Sequence, residues 1–195
     1  NPDIVWAGTG EILMARSSYA GTGVFKSTDG GQTWTNMGLH DSQHIGRVLI
    51  DPKDANIVYV AAIGRNFSTN EERGLFKTTD GGTTWSKVLY VNERVGVIDA
   101  EMDPVDGNIL YAAAWERDRK PWGHVVAGAG SGFYKSTDAG TSWRKIAPTF
   151  STSGRMVTRS SRTSNSRQRS KPPRDQIAAS TPSPHGRKMV GPPPA

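Results

Sequence analysis

One eight-residue pattern occurs three times along the chain, as Ser27-Thr28-Asp29-Gly30-Gly31-Gln32-Thr33-Trp34, Thr78-Thr79-Asp80-Gly81-Gly82-Thr83-Thr84-Trp85 and Ser136-Thr137-Asp138-Ala139-Gly140-Thr141-Ser142-Trp143. A Gly-hydrophobic-aromatic-Lys run precedes each copy: Gly23-Val24-Phe25-Lys26, Gly74-Leu75-Phe76-Lys77 and Gly132-Phe133-Tyr134-Lys135. The aspartates at 29, 80 and 138 lie 51 and 58 residues apart. Repetition at this period marks an array of small supersecondary units stacked side by side. It also warns that the most conspicuous motif is scaffold and not a reaction centre.

A longer unit repeats around the signature. Ile4-Val5-Trp6-Ala7, Ile57-Val58-Tyr59-Val60 and Ile109-Leu110-Tyr111-Ala112 are short β-branched and aromatic runs that read as strands. Asp51-Pro52-Lys53-Asp54 and Asp103-Pro104-Val105-Asp106 introduce the second and third of them. Proline sets φ there, and the Asx side chains bond local amides, which is turn chemistry. Residues 46–50 and 97–102 precede those turns as further strands. Each unit thus reads strand A, turn, strand B, loop, strand C, tight turn, strand D. Four antiparallel strands in roughly 50 residues make one β-propeller blade. Residues 44–90 and 95–147 are expected to be complete blades, and residues 1–38 to supply strands B, C and D of another. Propellers close with about 4–8 blades, so the expected architecture is all-β, a partial propeller within a longer protein whose remaining blades complete the ring.

The net charge of +6 suggests an acidic partner until the chain is divided. Residues 149–195 hold 9 Lys/Arg against the single acid Asp175, whereas residues 1–148 hold 15 Lys/Arg and 17 Asp/Glu. The excess therefore gives the folded part no basic face for nucleic acid. Residues 149–195 also hold 7 of the 12 prolines, a Ser/Arg/Thr-rich stretch and no Trp or Tyr. Such a composition cannot offset its ordering entropy, so a disordered tail is expected. It also matches what GC-rich DNA yields when read out of frame. There is no cysteine, hence no disulfide framework or thiolate metal site. No run approaches the ~18–20 apolar residues of a membrane span.

In the signature, the carboxylate is expected to accept several loop amides, with the Ser/Thr two places earlier (Ser27, Thr78, Ser136) adding another bond. Gly31, Gly82 and Gly140 share a slot suited to positive φ. The slot before it accepts Gly30, Gly81 and Ala139, which predicts ordinary φ there. Trp34, Trp85 and Trp143 close the hairpin with an indole N–H in need of an acceptor. This Ser/Thr-x-Asp-x-Gly-x-Thr/Ser-Trp pattern resembles the Asp-box of BNR-repeat β-propellers. The wider context over residues 1–148 is similar to sortilin/VPS10-type and xyloglucanase-like proteins. The resemblance implies that Asp-boxes are peripheral and structural, away from the ligand face. One carboxylate per loop also falls short of a calcium cage.

Propeller ligands meet the end carrying the B–C and D–A loops, here 9–20, 38–44, 64–73, 90–94 and 115–131. Trp115 and Trp122 bracket Glu116-Arg117-Asp118-Arg119, a mixture of flat aromatic, carboxylate and guanidinium suited to carbohydrate. Trp115, Arg117, Arg119, Trp122, Arg47 and Arg65 are the candidate ligand contacts. Arg47 and Asp99 occupy equivalent slots near the channel and are placed to pair across blades. Glycoside hydrolysis needs two carboxyls roughly 5–9.5 Å apart, for which Glu11, Asp99 and Glu116 are the candidates. His40 and His44 have metal-like i, i+4 spacing but fall in a Gly-flanked loop, so no metal is assigned. No cofactor is assigned either, since Gly128-Ala129-Gly130-Ser131-Gly132 lacks the helix and lysine of a phosphate loop. The expected function is a glycan- or peptide-binding propeller module of a secreted or envelope protein. Glycoside hydrolase activity in the full-length parent, with this chain alone inactive, and a structural protein-interaction role are the alternatives.

Overall fold

The computed structural model describes residues 1–146 apart from 14 and 16. The segment 149–195, expected to be a disordered tail, lies outside the described residues. Among the described residues, thirteen strands form three blade sheets and one extra hairpin. The first sheet is β1 (Val5–Gly8), β2 (Val24–Ser27) and β3 (Thr35–Asn36). The second is β4 (Ile45–Ile50), β5 (Val58–Ala62), β6 (Gly74–Thr78) and β7 (Ser86–Leu89). The third is β8 (Val95–Met102), β9 (Leu110–Glu116), β12 (Gly132–Ser136) and β13 (Arg144–Ile146). All pairings are antiparallel. These are the two full blades and the three-stranded partial blade of a β-propeller, in the expected order.

The loop 115–131 holds more order than its composition announced. Asp118–Lys120 (β10) pairs with Gly123–Val125 (β11), and Pro121-Trp122 form the tip. Only three residues a side, carrying charges and a histidine, gave no alternating apolar signal to read. A single 3-10 turn, His40–Ser42, interrupts the loop from the first sheet to the second.

Sidedness of the strands explains how the blades stack. Alternate residues of a strand face opposite sides. In the second sheet Val58, Val60, Ala62 and Phe76 join Val24, Leu39 and Ile45 in one buried cluster against the first blade. Tyr59, Ala61 and Leu75 join Leu110, Ala112, Ala114 and Tyr134 in another against the third. Every residue of β5 is buried because both faces of that strand are covered.

The three signature turns are near-copies. Ser27 Oγ, Thr78 Oγ1 and Ser136 Oγ each donate to the aspartate two residues on, all at 2.7 Å. The same hydroxyls accept the amides of Gly31, Gly82 and Gly140 at 2.8–2.9 Å. The aspartate's other donors are one amide and one hydroxyl from the residue four places on, Thr33, Thr84 or Ser142. The carboxylate is therefore held mainly by hydroxyls, where several amides had been expected. A second correction concerns the slot before the shared glycine. Gly30, Gly81 and Ala139 have φ of 71°, 70° and 54°, so two successive residues are left-handed and Ala139 carries the strain.

This bonding sets an acid limb to stability. Hydrogen bonds from Ser27 and then Thr33 bring the Asp29 carboxyl down to about 2, and those from Ser142 and Ser136 do the same for Asp138. Thr84 and Thr78 push Asp80 lower still. Depressed folded-state values stabilise above the unfolded value near 3.8, and that stabilisation is lost as pH falls. The thermal midpoint is expected to fall as pH drops from about 4 to about 2. Asn at all three positions should flatten that limb while lowering the midpoint at neutral pH. A variant that keeps the wild-type acid slope would remove these carboxylates from the account.

Candidate functional site

Antiparallel topology sends the B–C and D–A loops to one end of the sheets and the signature turns to the other. At the loop end the connections interlock. Asn70 N donates to Glu93 O at 3.3 Å, Asp41 N to Glu72 Oε2 at 2.7 Å, and Arg117 N to Arg94 O at 3.0 Å. Asn66 Nδ2 reaches Ala15 O at 2.9 Å.

Two residues organise this surface. Arg73 is 2 % exposed and spends its donors on Asn70 Oδ1 and on the carbonyls of Ile63, Arg94, Arg65 and Ser68. Asn70 in turn accepts from Arg65 N and donates to Asp41 O. Burial lowers the Arg73 guanidinium to about 10, the charges of Asp118 and Glu93 opposing it. By sequence Arg73 is simply the last residue of the loop 64–73 at the ligand end, following Glu71-Glu72. Its one warning was Gly74, opening the strand straight after it.

Beside it stands the third-blade group. Arg117 is 5 % exposed, and its guanidinium lies 4.8 Å from the centre of the Trp115 ring. Burial, followed by the charges of Arg119 and Arg73, lowers Arg117 to about 10. Trp115 Nε1 donates to Val126 O at 2.6 Å, fixing the ring plane. Glu116 Oε2 accepts Gly130 N at 2.8 Å, and Glu116 N donates to Ser131 Oγ at 2.8 Å. Glu116, Arg94, Glu93, Asn92, Val91 and Tyr90 line an open depression of about 460 Å³. His44 is buried at 1 % exposure, and desolvation lowers it, which favours the neutral imidazole. The charges of Arg117, Arg73 and Glu11 all act on it.

The remaining candidates divide. Arg47 Nε pairs with Asp99 Oδ1 at 2.7 Å and Arg47 Nη2 with Glu101 Oε1 at 3.1 Å, joining the inner strands of adjacent blades. Arg65 is ion-paired with Asp41. Arg119 sits on β10 opposite His124, and Trp122 stands at the hairpin tip with 85 % exposure. Trp115 is thus at the base of the hairpin and Trp122 at its end, with one Trp115 face already covered by Arg117. Glu11 is exposed in the first B–C loop. Asp99 lies at mid-strand and Glu116 at the loop end of the same sheet, about 10 Å apart along the strand direction. Among the described residues no group of three His/Cys/Asp/Glu could hold a metal ion. None of the described helices is long and apolar enough to cross a membrane.

No family model matches the chain. Curated proteins do. A xyloglucanase from Paenibacillus sp is 29 % identical over 167 residues, covering 75 % of this chain. Its relatives are xyloglucanases. A second, from Acetivibrio thermocellus, is 28 % identical over 140 residues, covering 63 % of the chain. The crystal structure of a GH74 enzyme from Niastella koreensis superposes with a TM-score of 0.53 at 25 % identity, over 76 % of this chain and 20 % of that one. The chain spans only 15–16 % of the length of these curated relatives. What is similar is therefore a glycoside-hydrolase-related β-propeller segment.

Proposed function

We propose that this chain is a glycan-recognition segment of a propeller, taking a β-glucan-type polysaccharide across its loop end. The observation that carries the reading is the depression lined by Tyr90, Asn92, Glu93, Arg94 and Glu116, with the Trp115–Arg117 stack flanking Glu116 in the chain. Sugar rings offer apolar CH faces and a rim of hydroxyls, which such a mixture of an aromatic ring with charged and amide groups matches. The xyloglucanase relatives point to xyloglucan as the first polysaccharide to test. In this reading residues 1–148 are the propeller unit, 149–195 a separate segment, and the signature turns the Asp-boxes of BNR repeats. A secreted or envelope location follows from a polysaccharide ligand.

The test is affinity electrophoresis and calorimetry with xyloglucan, cello-oligosaccharides and a peptide library as separate arms. Retention by xyloglucan, weakened about tenfold in Trp122→Ala and in Glu116→Gln, is the expected result. No retention by any β-glucan would sink the proposal.

The relatives' names favour a second reading for the parent protein, glycoside hydrolysis. Two carboxyls must flank the scissile bond, and Asp99 is already committed to Arg47. We infer that catalysis needs blades beyond these three and that this chain alone releases no reducing sugar. Release by the 195-residue chain, abolished in Glu116→Gln, would overturn that inference.

A further inference from the structure

Of the described histidines, His44 alone is buried, at 1 % exposure, while His40 and His124 are exposed. It stands at the loop end, where the first blade meets the second, one residue ahead of β4. Its chain neighbours are tied to the first blade. Ile45 N donates to Thr9 O at 3.0 Å and Gly21 N to Gln43 O at 2.6 Å. Gly10 is pressed onto the same backbone, since a Cβ there would lie 2.9 Å from His44 Cα. His44 O accepts Ile63 N at 2.9 Å, which anchors it to the second blade as well. All these neighbours belong to the described blades, so the burial does not depend on residues elsewhere in a longer chain.

Little around the imidazole could answer a charge on it. The ring bonds the main-chain carbonyl of Glu11, and Nε2 makes that bond, because Nδ1 is buried and meets no partner among the described residues. Neutral imidazole suits this arrangement, with one nitrogen donating and the other bare. The charged groups acting on it are Glu11 from the first blade, Arg73 from the second and Arg117 from the third. Both arginines are buried, at 2 % and 5 % exposure, whereas Glu11 is exposed. Asp41, on the loop of His44 itself, is paired with Arg65. Asp118 and Glu93 act on Arg73, and Arg119 acts on Arg117. A proton on Nδ1 would therefore add a third cation beside two buried guanidinium groups and leave a buried N–H unsatisfied.

We propose that His44 is an acid-sensitive latch on the seam between the first two blades. Neutral, it holds Thr9–Glu11 against Gln43–Ile45; protonated, it parts them. The direction follows from the surroundings. Burial first, then Arg117 and Arg73, hold the imidazole below its ordinary 6.5, against the bond to Glu11 and the Glu11 charge. The opened chain thus takes up the proton at higher pH than the closed one. The latch stabilises fully above about pH 6.5 and is lost as pH falls below that value. This window lies above that of the signature aspartates, and the latch is independent of which ligand the loop end takes.

Hydrogen exchange and thermal unfolding of the full 195-residue chain, from about pH 8 to about pH 5, test the latch. Relative to intrinsic rates, the amides of Gly21 and Ile45, which cross the seam, should lose protection about tenfold at the acid end. Val60, inside the enclosed strand β5, should keep its protection, and the thermal midpoint should fall over the same range. His44→Gln retains a donor for Glu11 O but does not titrate, so it should flatten both responses. Glutamine at His40, His124 and His185 together should leave them as in the wild type. Wild-type protection that is constant from pH 8 to pH 5 overturns the proposal, as does a His44→Gln variant with the wild-type loss. If His44→Gln does not fold, the ring nitrogen shifts of His44 in the wild type decide the question. A neutral ring with its proton on Nε2 at pH 7 is expected, and a ring still charged at pH 7 overturns the latch.

Discussion

Replacing Arg73 by methionine should lower unfolding free energy by about 3–5 kcal/mol, the range for removing one member of a buried polar network. The volume is nearly kept, so the loss isolates the guanidinium. Its five hydrogen bonds run to one side-chain amide and four main-chain carbonyls, at 2.6–3.4 Å. Without it those carbonyls face an apolar chain in a site closed to water. Lysine should recover only part of the loss, since its three donors cannot reproduce the planar fork. The measurement is the midpoint of urea unfolding, with the slope checked for constancy. A loss below about 1 kcal/mol would mean that water replaces the guanidinium and that the loop 64–73 is not held by it.

Gly82→Ala is the second large effect, and its partner Gly31→Ala supplies the control. Both glycines are left-handed, at 98° and 93°, so both substitutions carry a backbone cost of about 1–2 kcal/mol. They differ in what the new methyl meets. At residue 31 it lies 3.6 Å from the chain's own Trp34, ordinary contact. At residue 82 it lies 2.6 Å from Trp6 and 3.0 Å from Met37, both on the preceding blade. Overpacking adds about 1–3 kcal/mol, so Gly82→Ala should cost about 2–5 kcal/mol in total. Equal losses at the two positions would show that the turn is not pressed against its neighbour.

What could be read from the chain follows from the length of each physical signal. The blades were legible because strands such as Ile57-Val58-Tyr59-Val60 recur with their turns, and repetition corrects local ambiguity. The Asp-Pro turns also behave as their composition dictates, Asp51 Oδ1 accepting Lys53 N at 2.7 Å and Asp103 Oδ1 accepting Val105 N at 2.9 Å. The Arg47–Asp99 pairing was legible because equivalent slots in adjacent repeats are neighbours in space. Backbone sign at Ala139 was not, because a side chain in the slot argued against a left-handed residue, while the demand came from Lys77 and Tyr59, about 60 and 80 residues away. The candidate site was legible as a set of loops but not as roles. Arg117 and Arg119 read alike in sequence, yet Arg117 is buried over Trp115 and Arg119 lies on the β10–β11 hairpin.

The complete enclosure of β5 has a mechanical consequence. Of the three sheets, the middle one alone has a described neighbour on both sides, so its amides can reach solvent only after an adjoining sheet has come away. Opening of the arc therefore begins at its flanks and reaches Val58–Ala62 last, much as a stack of plates is emptied from its ends.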